Sequence, residues 1–275
     1  MKTVLEVIQA TTAYFQKSGI ESARLNIEHL LAHVLRKKRM ELYLEFDRPL
    51  AEQELEPLRG LVKRRAAGEP LQHLLGTAEF HGRSFLCDKR ALVPRQETEQ
   101  LCELILAAGP ATRVLDVGTG SGVIPLTLAA AWPVAQIEAL DISSEALALA
   151  RENAARLDLL DRVTFLESDL LANVSGTFDL IVANLPYIAR DEIPALAREV
   201  QHDPMAALDG GPDGLDLFRR LIPQVTGHLR GRLALEIGYD QSAPLCDLLA
   251  AYNFQDIRAQ TDYQSRHRFL FATYG

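Results

Sequence analysis

Cysteine is scarce in this chain and basic residues are outnumbered by acidic ones, 29 to 37, and each shortage removes a class of function. The 7% of aromatic residues is ordinary for a globular protein. Three cysteines, Cys87, Cys102 and Cys246, lie far apart in 275 residues. An odd, scattered set builds neither a disulfide framework nor a CxxC metal site. The seven histidines form no close pair beside a carboxylate. His29 and His33 share a helix face, but no third ligand follows, so no metal is expected. No run approaches the ~20 apolar residues of a membrane span. The first residues, Met1-Lys2-Thr3-Val4-Leu5-Glu6, are charged too early for a cleavable leader. A cytoplasmic protein with no membrane contact is the expectation.

Positive charge is short as well. The net charge is −8, with a first 95 residues at +4 and a remainder of 13 Lys and Arg against 25 Asp and Glu, or −12. So acidic a larger part speaks against a nucleic-acid backbone as partner, which needs clustered Lys and Arg. The clusters Arg36-Lys37-Lys38-Arg39 and Lys63-Arg64-Arg65 suit an acidic partner or two solvated helix ends equally well.

What is present is periodicity. From Val4 to about Ala67 apolar residues recur every three or four positions, as in Val4, Val7 and Ile8 and then Ile27, Leu30, Leu31 and Val34, which predicts amphipathic helices. Gly68 to Pro94, with Gly76, Gly82, Phe80 and Phe85, predicts a short hairpin. Thr98 to Ala108 reads as a helix. Beyond it short apolar runs alternate with helical stretches: strands over 113–117, 136–140, 163–166, 178–183 and 231–237, helices over 123–131, 144–157, 215–229 and 245–252, and closing strands around Ile257 and 268–273. Strands separated by single helices imply an α/β, doubly wound, mainly parallel sheet. The expected boundaries are a helical substrate-recognition domain at 1–75, a hairpin linker at 76–94 and a catalytic domain at 95–275.

The first strand of that pattern, ending Leu115-Asp116-Val117, runs into Gly118-Thr119-Gly120-Ser121-Gly122. Glycines there permit a tight turn and close approach of a ligand to the backbone. Asp141 ends the next strand and is placed to accept ribose hydroxyls. Asp169 follows the third strand, placed for an adenine amino group. The glycines do not keep the GxGxxG spacing of a pyrophosphate cradle. The pattern resembles that of a class I methyltransferase and implies S-adenosylmethionine as cofactor.

The fourth strand ends in Asn184-Leu185-Pro186-Tyr187. An amide nitrogen is a poor nucleophile because its lone pair is delocalised. The Asn184 side-chain oxygen and the carbonyl of residue 185 can each accept one N–H, which aims the nitrogen at a methyl donor. Tyr187 offers a flat wall for the planar amide. Asn184 and Tyr187 are therefore the candidate catalytic residues, and Asn184 to Tyr187 the substrate clamp.

These residues, together with Pro70-Leu71-Gln72-His73-Leu74-Leu75-Gly76, Val93-Pro94-Arg95-Gln96-Glu97-Thr98-Glu99, Ala207-Leu208-Asp209-Gly210-Gly211-Pro212-Asp213-Gly214 and Leu235-Glu236-Ile237-Gly238, resemble the release factor glutamine N5-methyltransferase family (PrmC, or HemK) over nearly the whole chain. Leu185 and Gln96 stand where that family usually has proline. The resemblance implies a seven-stranded class I methyltransferase fold. It implies cofactor contacts from Gly118, Thr119, Gly120, Ser121, Gly122, Asp141, Asp169, Leu170 and Asn184, with S-adenosylhomocysteine as product. It also implies that the substrate is the Gly-Gly-Gln loop of class-1 peptide release factors; a monomer is the expectation, although the sequence does not reveal the oligomeric state. A ribosomal-protein glutamine, a nucleic-acid amino group and an inactive cofactor-binding role remain as alternatives. Arg95 and Glu97 serve either a capped helix start at Thr98 or the pocket mouth, and Glu236 is either a pocket-lining or a paired structural carboxylate.

Overall fold

The computed structural model describes residues 2–275. The chain divides into two compact units, one running to Thr77 and including Ala197–His202, the other holding Ala78–Leu196 and Asp203–Gly275.

In the first unit α1 (Val4–Lys17) opens on a capping box, in which the Thr3 hydroxyl accepts from the Glu6 amide and the Glu6 carboxylate accepts from the Thr3 amide. Helices α2 (Ala23–Leu35), α3 (Glu52–Ala66) and the short α4 (Leu71–Leu75) follow. Their apolar stripes close on a core that includes Ile8, Phe15, Ile27, Leu30 and Leu31. Glu28 is buried on α2 and accepts from Arg24, Arg39 and Tyr43. Burial opposes its charge, yet these hydrogen bonds hold its pKa below the ordinary value. Arg65 on α3 is also buried, donating to Asn26 at 2.6 Å and to Glu199 at 2.7 Å.

The hairpin expected across Gly68 to Pro94 is narrower in the structure. Only β1 (Thr77–Phe80) and β2 (Arg83–Leu86) form it, joined by His81 and Gly82 at φ 49° and 71°, the left-handed pair that a two-residue turn requires. Residues 71–75 are helical instead, because Leu71, Leu74 and Leu75 all pack on the helical core.

The second unit continues with α5 (Gln96–Ala107), β3 (Arg113–Val117), α6 (Val123–Ala131), β4 (Gln136–Asp141), α7 (Ser144–Arg156), β5 (Val163–Glu167), β6 (Phe178–Asn184), α8 (Asp216–His228), β7 (Leu229–Glu236), α9 (Ser242–Ala251), β8 (Gln255–Thr261) and β9 (His267–Tyr274). The strands form a seven-stranded sheet in the order β5-β4-β3-β6-β7-β9-β8. All pair in parallel except β9, which runs antiparallel to β7 and β8. Alternation along the strands feeds two cores: Val114, Ile137 and Ala139 face one layer of helices, and Leu115, Val117 and Leu140 the other. The strand order turns at β3, with β4 to one side and β6 to the other, which opens a crevice at the carboxyl ends of the strands.

A fully buried Asn153 on α7 ties three elements together. Its Oδ1 accepts from the Leu86 amide at 2.6 Å, and its Nδ2 donates to the carbonyls of Leu86 and Ser121 at 3.2 and 2.9 Å. Asn153→Leu keeps the branching of the side chain but strands these backbone groups. It is expected to lower stability by about 1–3 kcal/mol for each one left unpaired, read as a shift in the denaturant midpoint at unchanged slope.

Candidate active site

The carboxyl ends of β3, β4, β5 and β6 surround a cavity of about 330 Å³. Its floor is the loop after β3. The amides of Gly118 and Thr119 both donate to the Leu140 carbonyl, at 2.9 and 2.7 Å. Asp141 then accepts from the Gly120 amide through Oδ2 and from the Ser143 amide through Oδ1, at 2.8 and 2.9 Å. One carboxylate thereby fixes the loop and the start of α7, and each oxygen keeps a lone pair for a ligand. Burial raises the Asp141 pKa, and the backbone amides work against that rise.

Gly118 has φ 78°, and a Cβ there would meet Leu185 Cδ2 at 3.0 Å. Gly122 has φ 83°, and a Cβ there would meet Ala150 at 3.1 Å. The first glycine admits the β6 loop, and the second lets α6 lie against α7.

Of the residues singled out in the sequence, Gly118, Thr119, Gly120, Ser121, Asp141, Asp169, Leu170, Asn184, Leu185 and Pro186 line the cavity. Gly122 and Tyr187 do not, since Gly122 packs between helices and Tyr187 sits behind Asn184 among apolar side chains. Asp169 points to Arg220, with an ion pair of 2.6 Å at half-exposed side chains. The side chain of Leu185 turns into the core with Val117, Ala183 and Leu215, only 4% exposed.

Asn184 is oriented by a chain of hydrogen bonds that its motif did not reveal. Its Nδ2 donates to the Thr98 hydroxyl at 2.9 Å, and that hydroxyl donates to Glu236 Oε2 at 2.7 Å. The Tyr187 hydroxyl donates to Glu236 Oε1 at 3.4 Å. With Nδ2 committed to Thr98, Oδ1 is the acceptor that Asn184 has left to offer. Thr98 is thus no helix cap: α5 begins at Gln96 with Arg95 at its cap position and no side-chain capping bond. Glu236 is a buried, hydroxyl-bonded carboxylate that does not line the cavity. Burial pushes its pKa up to about 7.

The backbone under Tyr187 is held from a distant segment. Gln241 Nε2 donates to the Tyr187 carbonyl at 2.8 Å, and Ile188 exchanges backbone bonds with Leu208 and Gly210 at 3.1 and 2.9 Å. A Cβ on Gly214 would lie 2.3 Å from the Tyr187 carbonyl, which explains glycine there. Gln241 carried no sequence signal.

Three arginines line the cavity, and each is engaged by a carboxylate: Arg90 by Asp88 and Glu152, Arg95 by Asp203, and Arg220 by Asp169. At the carboxyl end of β3 the opposite holds. Asp116 is fully buried, and among the described residues neither of its oxygens nor the Thr119 hydroxyl has a hydrogen-bond partner. Among the described residues no group of three or more His, Cys, Asp or Glu side chains is arranged to hold a metal ion.

Residues 6–76 match the family model of the PrmC N-terminal domain, and residues 96–211 match that of the methyltransferase small domain. A release factor glutamine methyltransferase from Geobacter sulfurreducens is 42% identical over 259 residues, spanning 92% of this chain and 90% of its own. Those of Moorella thermoacetica and Chlorobaculum tepidum are 41% and 38% identical, spanning 92% and 98% of this chain and 92% and 96% of their own. In fold, the hMettl16 catalytic domain, solved with the MAT2A 3′UTR hairpin 6, superposes with a TM-score of 0.60 at 17% identity, covering 80% of this chain and 82% of that one. A ribosomal protein L11 methylase from Lactobacillus delbrueckii subsp. bulgaricus superposes with a TM-score of 0.50 at 29% identity, covering 68% and 83%. By both of its domains and by relatives that match it nearly end to end, the chain belongs to the release factor glutamine methyltransferase family.

Proposed function

We propose that the protein transfers a methyl group from S-adenosylmethionine to the side-chain amide nitrogen of the glutamine in the Gly-Gly-Gln loop of a class-1 peptide release factor. The observation that carries this reading is the Asn184 amide, held by Thr98 with its oxygen as the remaining acceptor. The helical unit that matches the PrmC N-terminal domain is proposed to grip the release factor.

The cavity suits the cofactor on its own evidence. Asp141, half-buried and bonded to the Gly120 and Ser143 amides, lines the cavity. Asp116, buried without a hydrogen-bond partner among the described residues, lies beneath it near the end of β3, while each of the three arginines of the wall is engaged by a carboxylate. Such a field favours a cation over a pyrophosphate. Asp141 is the proposed holder of the ribose hydroxyls, Asp169 and Leu170 of the adenine edge, and the Gly118 to Gly122 loop of the amino-acid end. When bound, S-adenosylmethionine supplies an electrophilic methyl group on a sulfonium.

The chain's own work is positioning. Asn184 Oδ1 and the Leu185 carbonyl accept the two amide hydrogens of the glutamine, directing its nitrogen at the methyl group and raising its electron density. No base is needed before transfer, because the amide nitrogen becomes strongly acidic once methylated and then releases a proton to water. A nucleic-acid amino group is the weaker reading, because among the described residues each arginine at the cavity wall is engaged by a carboxylate and this part of the sequence is strongly acidic.

Incubation with radiolabelled S-adenosylmethionine, a purified class-1 release factor and its Gly-Gly-Ala variant is expected to label the first and spare the second. Label on a ribosomal protein or RNA instead would move the substrate. In that assay Asn184→Ala should lose at least about 100-fold in kcat while keeping its melting temperature. Leu185→Pro should keep turnover, since the carbonyl survives, but lower stability by about 1–3 kcal/mol through loss of buried methyl groups.

Burial raises the Asp116 pKa to about 7, with some relief from the nearby Thr119 hydroxyl. A carboxyl whose pKa is higher in the folded chain than in the unfolded one stabilises the fold in acid and loses that contribution as pH rises through the folded value. Asp116→Asn should therefore melt above the wild type at about pH 8, with the gap narrowing as pH falls below about 7 and closing only near the ordinary carboxyl value of 3.8. Its affinity for S-adenosylmethionine should fall about tenfold by calorimetry. An unchanged affinity would remove Asp116 from the cofactor field.

A further inference from the structure

We infer that Glu236, acting through Thr98, is the positioning residue that sets which way round the Asn184 amide sits. This deepens the reading of Asn184 as an acceptor for the substrate amide and rests on it.

An asparagine amide can present either its oxygen or its NH2 group to a cavity, and the two orientations have nearly the same shape. Here the oxygen is useful and the NH2 group is not, because a glutamine amide nitrogen must itself donate. Something has to break the tie. The Thr98 hydroxyl has one hydrogen and lone pairs to accept with. An ionised Glu236 only accepts, so Thr98 must donate to it, at 2.7 Å, and is left to accept from Asn184, at 2.9 Å. The polarity of the chain is thereby set in one direction, and Asn184 Oδ1 is delivered to the substrate side. A protonated Glu236 can donate to Thr98 instead. The Thr98 hydrogen is then free to meet Asn184 Oδ1, and the NH2 group turns toward the substrate, where it repels the incoming N–H.

The cost of the arrangement argues that it is retained for placement. Thr98 and Glu236 are 4% and 2% exposed and come from elements 138 residues apart. A buried carboxylate answered only by hydroxyls is often no more stable than an apolar group packed in its place. Charged and titratable groups face it from every side: Glu97 on α5 raises its pKa, Arg268 on β9 lowers it, Tyr187 from the β6 loop donates to it, and the Cys102 thiol on α5 feels its charge. Burial outweighs the others and brings Glu236 to about 7, so the two polarities exchange within the working pH range. Arg268 is no direct partner of Glu236; its guanidinium lies 5.9 Å from the Tyr187 ring and donates to the Ile237 carbonyl at 3.1 Å.

The test uses the full-length protein with Glu236→Gln, Thr98→Val and Thr98→Ser variants. Methyl transfer to the release factor is followed from about pH 5.5 to 8.5, where a titrating group near neutrality shapes kcat. The wild type should show an acid limb in kcat with an apparent pKa near 7. Glu236→Gln should lose the acid limb and about 10- to 100-fold in kcat, and Thr98→Val should lose as much, with cofactor affinity and KM within about threefold. Thr98→Ser, which keeps the hydroxyl, should recover to within about threefold of wild type.

The second readout needs no turnover. In 15N-labelled protein the Asn184 side-chain NH2 signal, assigned by its absence in Asn184→Ala, should be exchange-protected at high pH and lose protection on acidification. It should be pH-independent in Glu236→Gln. A Glu236→Gln enzyme with wild-type kcat and its acid limb intact would overturn the inference. So would a Thr98→Ser variant as impaired as Thr98→Val, or an Asn184 signal indifferent to pH in the wild type. If the pH-dependent signal appears but no release factor is methylated, the positioning device stands and the substrate assignment falls.

Discussion

The shape of the cavity floor depends on the carboxyl end of β4, where one backbone carbonyl and one carboxylate take four amide hydrogens. Leu140 accepts from Gly118 and Thr119, and Asp141 from Gly120 and Ser143. These bonds turn the glycine loop sharply away from β3 and start α7 in the same stroke. They also bring Gly118 against Leu185. The glycine-loop wall of the cavity and the wall at the end of β6 are consequently one packed object. A side chain on Gly118 would push on Leu185, and through it on the carbonyl and the Asn184 amide beside it. Interiors packed at this density transmit such displacements instead of absorbing them.

Buried carboxylates are treated differently according to where they lie. Glu28 in the helical unit receives three donors, and Asp203 receives the Val93 amide and Arg95. Both are structural, and both are compensated as burial of charge demands. Asp116 has no partner among the described residues, and Glu236 has only hydroxyls. Those two stand at the ends of β3 and β7, on either side of β6, which ends in Asn184. Perturbed ionisation concentrates at sites that handle charge, and here it falls on the two strands that flank β6.

Much of this was legible along the chain. Short apolar runs separated mostly by single helices specified the doubly wound sheet, since a strand covered on both faces is largely apolar and parallel neighbours are usually joined by a helix, although β5 and β6 are joined without one. That the glycine loop, Asp141 and Asn184-Leu185-Pro186 gather at one cavity was readable because each belongs to residues at a strand end. The hairpin was placed too broadly, because Leu71, Leu74 and Leu75 carry no local signal separating a helical turn from an extended run. Thr98 was visible only as a helix start.

By itself, then, the sequence determined the alternation of elements, the glycines that the turns after β3 require and the residue types of the acceptor motif. These are local properties, set by backbone sterics and side-chain periodicity. The tertiary structure decided which way the Asn184 amide faces, that Tyr187 stands behind it and not at the cavity wall, that Leu185 fills core, and that Asp169 pairs with Arg220. Each of these depends on a partner from a distant part of the chain, with Thr98 and Glu236 lying 138 residues apart. Hydrogen-bond polarity and ion pairing are properties of neighbours in space, and no spacing along one strand or helix encodes them.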